Sequence, residues 1–416
     1  MIGIIGLGYV GLPLSATLAE ADFQVIGFDT DIEKINLINA GQSYIFDLPT
    51  KKLDKLIKLG KIHATSDMQS LSNLDIICIC VPTPLSKTKT PDVSYIISAT
   101  ESIGRYLRRD QLIILESTTY PGTTKEIVQP LLEESGLKVG LDFFLAFSPE
   151  RIDPGNVAYN TANTPKVVGG ITKSCVEIAS VFYRQFVDKV YQVSSATTAE
   201  SVKLLENTFR AVNIALVNEF AQMCDKMGLD VWEIIDAAAT KPFGYMPFYP
   251  GPGLGGHCIP VDPHYLAWKF RLHNHPPRFI DLASEINSSV PSYIVQKITH
   301  LLNQDQLAIN GSSVFVIGVS YKPDVEDTRE SPAIEIINQL ITLGACITYH
   351  DPFVSEVEVL GERYQSVPLT SEQLDLADCI VILTNHSVID YDQIEKYKSK
   401  VIDTRNSFDK TKLKQC

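Results

Sequence analysis

The chain has 416 residues, 45% hydrophobic and 20% charged, the composition of an ordinary globular protein with room for two or three domains and a sizeable core. A formal net charge of −13 and a pI near 5.1 argue against a nucleic-acid or anionic-membrane surface, so any anionic ligand must be held by local basic groups. The eight cysteines form no CxxC pair or metal-spaced His/Cys cluster, no basic leader precedes the first apolar strand, and no apolar run approaches the ~18 residues of a spanning helix. The expectation is a cytoplasmic protein with no metal, no membrane segment and no nucleic-acid partner.

Residues 1–197 predict alternating strands and helices. Apolar, β-rich runs at 2–6, 24–29, 74–81, 112–116 and 143–146 are separated by segments long enough for crossover helices, as a parallel doubly wound sheet requires. Gly6-Leu7-Gly8-Tyr9-Val10-Gly11 follows the first run directly and precedes a helical pattern, which is the setting in which a G-x-G-x-x-G loop cradles a pyrophosphate at a helix N-terminus. Asp29 closes the second run 18 positions after Gly11, where a carboxylate meets the adenine ribose. A ribose carboxylate selects NAD over its 2′-phosphorylated form, although Lys34 lies nearby and softens the preference.

Residues 198–300 change character. A single helical pattern from 198 to 228, about 45 Å long at 1.5 Å per residue, is apolar on more than one side and reads as a buried connector and dimer surface. Lys203 and Asn207 lie four apart on it, hence on one face. Further helices are expected at 230–240 and 278–288. Between them runs Gly251-Pro-Gly-Leu-Gly-Gly-His-Cys-Ile-Pro-Val-Asp262, where Cys258, in backbone bare enough for a ligand to approach, is placed as a nucleophile. The adjacent His257 is read as structural.

After residue 301 the α/β rhythm returns, with a strand at 314–317, a polar loop at 318–329, and Ser331-Pro332 as N-cap and first residue of a helix. Another strand follows at 346–350, and Asp351 ends it as Asp29 ends its counterpart. The fold class is therefore α/β: two Rossmann-like doubly wound domains, at 1–197 and 301–416, joined by a helical region with a long central helix. The second domain has no glycine fingerprint, so a nucleotide diphosphate held by basic side chains suits it better than a dinucleotide.

The fingerprint, Val81-Pro-Thr-Pro, Glu116-Ser-Thr, Phe147-Ser-Pro-Glu-Arg, Lys203-Leu-Leu-Glu-Asn, Gly251–Asp262 and Tyr321-Lys through Arg329-Glu-Ser-Pro-Ala resemble, in this order, the nucleotide-sugar 6-dehydrogenases of the UDP-glucose and GDP-mannose dehydrogenase family. The resemblance covers essentially the whole chain. It implies NAD-dependent, four-electron oxidation of a sugar C6 hydroxyl through a thiohemiacetal and thioester on Cys258. It makes Lys203 and Asn207 oxyanion stabilisers, Asp262 an orienter of water, and Glu150 and Thr118 residues that activate and position water. It brings Tyr9, Val10, Thr83, Thr118 and Arg329 to the cofactor, and Glu150, Arg151, Tyr249, Gly255 and Lys322, with Lys203 and Asn207, to the substrate. Residues 241–263 and 148–156 resemble the UDP-N-acetylglucosamine branch, and Val261 stands where UDP-glucose enzymes usually carry lysine. The substrate implied is a UDP-N-acetylhexosamine, UDP-N-acetylglucosamine first and UDP-N-acetylmannosamine or UDP-glucose behind it, in a homodimer built on the central helix and serving polysaccharide synthesis. Plainer readings stand beside these: Lys203 as a snorkelling helix lysine, Asp262 as a helix cap, and Glu150 with Arg151 as a surface ion pair.

Overall fold

The computed structural model describes residues 1–45, 48–86, 90–152, 158–256 and 259–408. They form two compact units, one of Met1–Glu206 with His264–Pro276, the other of Asn207–Pro263 with the chain from Pro277 onward.

The first unit is built on an eight-stranded sheet of β1 (Ile2–Ile5), β2 (Val25–Phe28), β3 (Ile62–Thr65), β4 (Ile76–Ile79), β5 (Leu112–Leu115), β6 (Phe144–Phe147), β7 (Lys166–Gly170) and β8 (Val190–Gln192). The order β3-β2-β1-β4-β5-β6 is wholly parallel; β7 then runs antiparallel to β6, and β8 parallel to β7. Strands such as Ile2-Gly-Ile-Ile and Leu112-Ile-Ile-Leu are buried along their whole length, as a parallel sheet covered by helices on both faces demands. The order turns back between β1 and β4, and the glycine loop at the C-terminal end of β1 opens there, where doubly wound sheets bind ligands. The expected strands at 2–6, 24–29, 74–81, 112–116 and 143–146 are present as β1, β2, β4, β5 and β6 with trimmed ends. Strands β3, β7 and β8 were not expected.

The long helix runs from Ala196 to Met227, 32 residues and about 48 Å. In the second unit, helix Val231–Ala239 is capped by Asp230, and helix Arg278–Gln304 continues far beyond the expected 278–288. It passes through Pro291 because Val290, Ile294, Val295, Ile298 and Leu302 form a buried stripe against the second sheet's core, a packing gain that outweighs one missing backbone hydrogen bond. That sheet comprises β9 (Ser313–Ile317) and β10 (Cys346–His350), a hairpin of β11 (Glu356–Val359) and β12 (Glu362–Gln365) set apart from it, and then β13 (Cys379–Ile382) and β14 (Val401–Asp403). Its order is β10-β9-β13-β14, all parallel. Ser331 caps helix Pro332–Thr342 through the Ala333 amide, as expected.

The two sheets repeat one device. Leu7 N–H donates to Asp29 Oδ2 at 2.9 Å, and Val319 N–H donates to Asp351 Oδ2 at 2.8 Å. In the second unit that carboxylate also accepts from the amides of Ser320, Phe353 and Val354 and meets His386 Nε2 at 3.0 Å. Asp351 is buried and saturated, so it has little left to offer a ribose.

Candidate active site

The first turn of the amino-terminal sheet is shaped for a pyrophosphate. Gly6 has φ +91°, and a Cβ there would lie 2.7 Å from the Cys80 carbonyl; one at Gly11 would lie 1.9 Å from the Gly6 carbonyl. Gly8 opens on empty space, nothing standing within 4 Å of a Cβ built on it. Helix Gly11–Glu20 begins here with no side-chain cap; the Leu12 and Leu14 amides donate to the Gly8 and Val10 carbonyls and Pro13 has no N–H, so what the turn offers a pyrophosphate is the positive end of the helix and a close backbone approach. Asp29 accepts from the Leu7 and Asp31 amides, and the Tyr44 hydroxyl donates to the Leu7 carbonyl at 2.5 Å. Tyr9 is half-exposed, Val10 is partly buried at the helix start, and Lys34 sits 3.8 Å from Asp31. These residues fit a dinucleotide. Thr83, on the turn after β4, accepts through its carbonyl from the Tyr265 hydroxyl.

Behind this turn lies a buried group of charges that sequence reasoning missed. Lys166, the first residue of β7, is 4% exposed; its ammonium reaches Glu116 Oε2 at 2.7 Å and Glu150 Oε2 at 3.1 Å, and lies over the Tyr183 ring. The Tyr183 hydroxyl donates to Glu116 Oε1 at 2.6 Å, while Glu150 Oε1 accepts from the amides of Arg151 and Ile152, both at 2.8 Å. Burial opposes the charge on Lys166, but the two carboxylates outweigh it and hold the ammonium's pKa above the usual lysine value. Burial pushes Glu116 up. Burial likewise works against the Glu150 anion, but Lys166, the Ile152 amide and the charge of Lys203 prevail and pull its pKa down. Glu116 and Glu150 lie in motifs already named, but the trace of Lys166 in the sequence is a charge at the edge of an apolar strand, Lys166-Val-Val.

Thr118 sits half-buried on the loop after β5. On one side Ser117 Oγ donates to the Val81 carbonyl at 2.7 Å; on the other, Glu200 of the long helix accepts from the Gly122 and Thr124 amides and the Thr124 hydroxyl. Burial pushes the Glu200 carboxyl up to about 7. One turn further along the helix, Lys203 is 8% exposed, which removes the snorkelling reading. Arg151 makes a bidentate pair with Glu206, at 2.6 and 3.2 Å, and donates to the Pro165 carbonyl. The Glu150–Arg151 surface pair is therefore absent, Glu150 turning inward and Arg151 toward the helix.

In the second unit, Asn207 Nδ2 donates to Asp262 Oδ2 at 2.5 Å, joining the long helix to the start of helix Asp262–Leu272. Asp262 is 2% exposed. Cys258 and His257 lie outside the described residues. The loop that leads to them is tightly held: the Gly251 amide donates to Asn218, and Asn218 donates to Asn287, which in turn donates to the Ala211 carbonyl. A Cβ on Gly255 would meet the Tyr321 Cβ at 2.7 Å, and Gly256 combines φ +87° with an amide donated to the Arg329 carbonyl. The glycines thus bring this loop onto the segment that carries Lys322. The Arg329 guanidinium is paired with Asp327. Tyr249 stacks on Trp232 and donates to Asp236 at 2.7 Å.

Arg405 was not anticipated. Its Nε donates to the Leu383 carbonyl, burial pulls its pKa down to about 10, and a Cβ on Gly251 would lie 2.6 Å from its Nη1. A desolvated guanidinium against the glycine loop suits a phosphate. Its signal in the sequence was only an arginine just past a short strand, Val401-Ile-Asp-Thr-Arg. Among the described residues no group of three or more His, Cys, Asp or Glu could hold a metal ion, and no helix is long and apolar enough to cross a membrane.

Profiles of the UDP-glucose/GDP-mannose dehydrogenase family match the chain in succession: the NAD binding domain over residues 1–187, the central domain over 197–289 and the UDP binding domain over 315–410. A UDP-N-acetyl-D-mannosamine dehydrogenase of Methanococcus maripaludis is 37% identical over 97% of this chain and 92% of its own length. A UDP-N-acetyl-D-glucosamine 6-dehydrogenase of Pseudomonas aeruginosa is 33% identical over 93% and 90%. The solved structure of a UDP-D-ManNAc dehydrogenase from Pyrococcus horikoshii superposes with TM-score 0.89 at 33% identity, covering 98% of this chain and 96% of that one. The dinucleotide cradle, the second nucleotide-type unit and these likenesses agree: the chain belongs to the UDP-glucose/GDP-mannose dehydrogenase family and is an NAD-dependent nucleotide-sugar 6-dehydrogenase.

Proposed function

We propose that the chain oxidises the C6 hydroxyl of a UDP-N-acetylhexosamine to the carboxylate through a thioester on Cys258. The observation that carries this is the Asn207–Asp262 hydrogen bond, which ties the long helix to the residue four positions beyond Cys258. Gly6, Gly8, Gly11 and Asp29 would hold NAD⁺, which when bound would supply a one-hydride acceptor at C6, so each sugar requires two NAD⁺ bound in turn. Lys203 and Asn207 stabilise negative charge on the C6 oxygen as it develops, since an ammonium and an amide donor favour the oxyanion over the alcohol. The Cys258 sulfur adds to the aldehyde carbon, and a water later attacks the thioester, giving its proton to Glu150 as the sulfur departs, with Thr118 positioning that water. Per sugar, one alcohol, two NAD⁺ and one water become one carboxylate, two NADH and three protons. Asp262, bonded to Asn207, orients that amide. Lys322 and Arg405 are the local cations that an acidic protein needs to hold a UDP diphosphate.

UDP-N-acetylglucosamine is the first reading, on the resemblance of residues 241–263 to that branch. UDP-N-acetylmannosamine is the second, favoured by the archaeal relatives that bear its name. Phe243, Tyr245 and Met246 are exposed on the segment before the glycine loop and supply apolar surface for an acetamido methyl, worth ~1–3 kcal/mol. The test is NADH production from UDP-N-acetylglucosamine, UDP-N-acetylmannosamine and UDP-glucose, counted against sugar consumed. Two NADH per N-acetylhexosamine supports the reading, and preferential oxidation of UDP-glucose overturns it. We assign the reaction to the cytoplasm, where NAD⁺ and nucleotide sugars are made, and its uronate to surface polysaccharide. The assembly is a homodimer through the long helix, whose Leu205, Phe209, Leu216, Met223 and Met227 are each 47–66% exposed at intervals of four and seven residues. A monomer in sedimentation at micromolar concentration would remove that last assignment.

A further inference from the structure

We propose that Lys166 is a positioning residue for the hydrolytic half of the reaction: its ammonium, divided between Glu116 and Glu150, holds the Glu150 carboxylate as an anion with both oxygens fixed. The inference rests on the reading that Glu150 takes the proton of the attacking water. A water-activating carboxylate must be ionised, and burial works against that. Glu150 solves the problem from two sides, its Oε1 accepting two amides at 2.8 Å and its Oε2 meeting Lys166 at 3.1 Å. Lys166 lies on β7, away from every sequence motif of the site, and is 4% exposed, so its charge is directed wholly into the cluster.

What keeps Lys166 there is Glu116, whose second oxygen is tied to Tyr183 from helix Lys173–Tyr183. The groups facing the cluster come from every element around it: Glu116 after β5, Lys166 on β7, Tyr183 on its helix, Lys203 on the long helix, and Cys78 and Cys80 on and just after β4. The two thiols are buried, and burial holds their pKa values well above the usual thiol value, so they stay neutral. Arg151 spends its charge on Glu206. Among the described residues the buried cations facing this cluster are therefore Lys166 and Lys203, and of these two it is Lys166 that is within ion-pair distance of Glu150. Lys166 does not meet substrate in this arrangement; it acts through Glu150.

A simple Lys166→Met change strands Glu116 in the core, so the informative variant is Lys166→Met with Glu116→Gln, which removes both charges of the inner pair and keeps an acceptor for Tyr183. The expected result is a protein that melts close to the wild-type temperature but whose acid formation acquires an acidic limb moved up by about one to three pH units, the shift an ion at this distance causes. Lys166→Arg, which keeps the charge, restores the wild-type profile. A folded double variant with the wild-type pH profile overturns the role of Lys166. Glu150→Gln separates the two ideas. If it retains wild-type turnover, the water-activating reading of Glu150 itself fails; if it is inactive while the double variant keeps the wild-type limb, only the inference about Lys166 fails.

Discussion

Glu200 makes the first unit's stability depend on pH in a direction opposite to that of most carboxylates. It is 1% exposed on the long helix and accepts from Thr124 N, Thr124 Oγ1 and Gly122 N at 2.8, 2.6 and 2.5 Å. Burial nevertheless dominates, moving its pKa from 4.5 to about 7. A carboxyl raised in the folded state binds its proton more tightly there than in the unfolded chain. Its stabilising contribution is therefore complete below pH 4.5 and is lost as pH rises through about 7. The difference, 7 − 4.5 = 2.5 units at 1.36 kcal/mol each, is about 3 kcal/mol. Glu200→Gln does not titrate; it costs about 1 kcal/mol or more at every pH because one amide donor now faces an NH₂ group. The variant should be less stable than wild type at pH 5 and equal or more stable at pH 8. Trp268 packs against Tyr120 within this unit, ring centroids 4.7 Å apart and tilted, and the chain has one other tryptophan, Trp232, so urea unfolding followed by fluorescence in a Trp232→Phe background reports on the right transition. Stability curves for the parent protein and its Glu200→Gln variant that stay parallel from pH 5 to 8 would refute the argument.

Two further outcomes test the chemistry. Cys258→Ala should reduce acid formation by on the order of 10³-fold or more while NAD⁺ still binds, because no other nucleophile is apparent in its loop; two NADH per sugar at near-normal rate from this variant would exclude the thioester route. Asp29→Asn should lower kcat/KM for NAD⁺ by about 10- to 100-fold, the worth of a hydrogen bond to a charged acceptor, and narrow the preference over NADP⁺; an unchanged ratio of the two cofactors' efficiencies would remove Asp29 from ribose recognition.

Local signals carried the reading of this chain wherever function is written in consecutive residues. The glycine fingerprint, Asp29, the Ser331-Pro332 cap and the Lys203–Asn207 spacing each depend on one helix turn or one strand end, and all are present as expected. Strand β7 carries Gly169 and Gly170, residues that weaken a strand signal in the sequence. The first glycine is required by packing, since a Cβ on Gly169 would lie 2.1 Å from the Ser195 carbonyl at the approach to the long helix. Helix Arg278–Gln304 runs past the expected 288 because tertiary burial carries it through Pro291. The larger gap lies in the partners of the site residues.

Lys166 is 50 residues from Glu116 and 16 from Glu150, and Arg151 is 55 from Glu206, so no window along the chain contains the pairings that set their charges. Glu150 and Arg151, adjacent in sequence, invite a mutual ion pair; instead the Glu150 carboxylate meets Lys166 and the Arg151 guanidinium meets Glu206. The proposed water-activating residue is thus one that a motif names, and its proposed positioning residue is not. Glu150 stands in a recognisable Phe-Ser-Pro-Glu-Arg, whereas Lys166 opens an unremarkable apolar strand. A buried lysine in such a strand is costly unless two carboxylates meet it. A single charge at the edge of a run like Lys-Val-Val-Gly-Gly is thus itself a sign that opposite charge waits in the core, and here that charge is Glu116 and Glu150, the second also under the field of the long helix's Lys203.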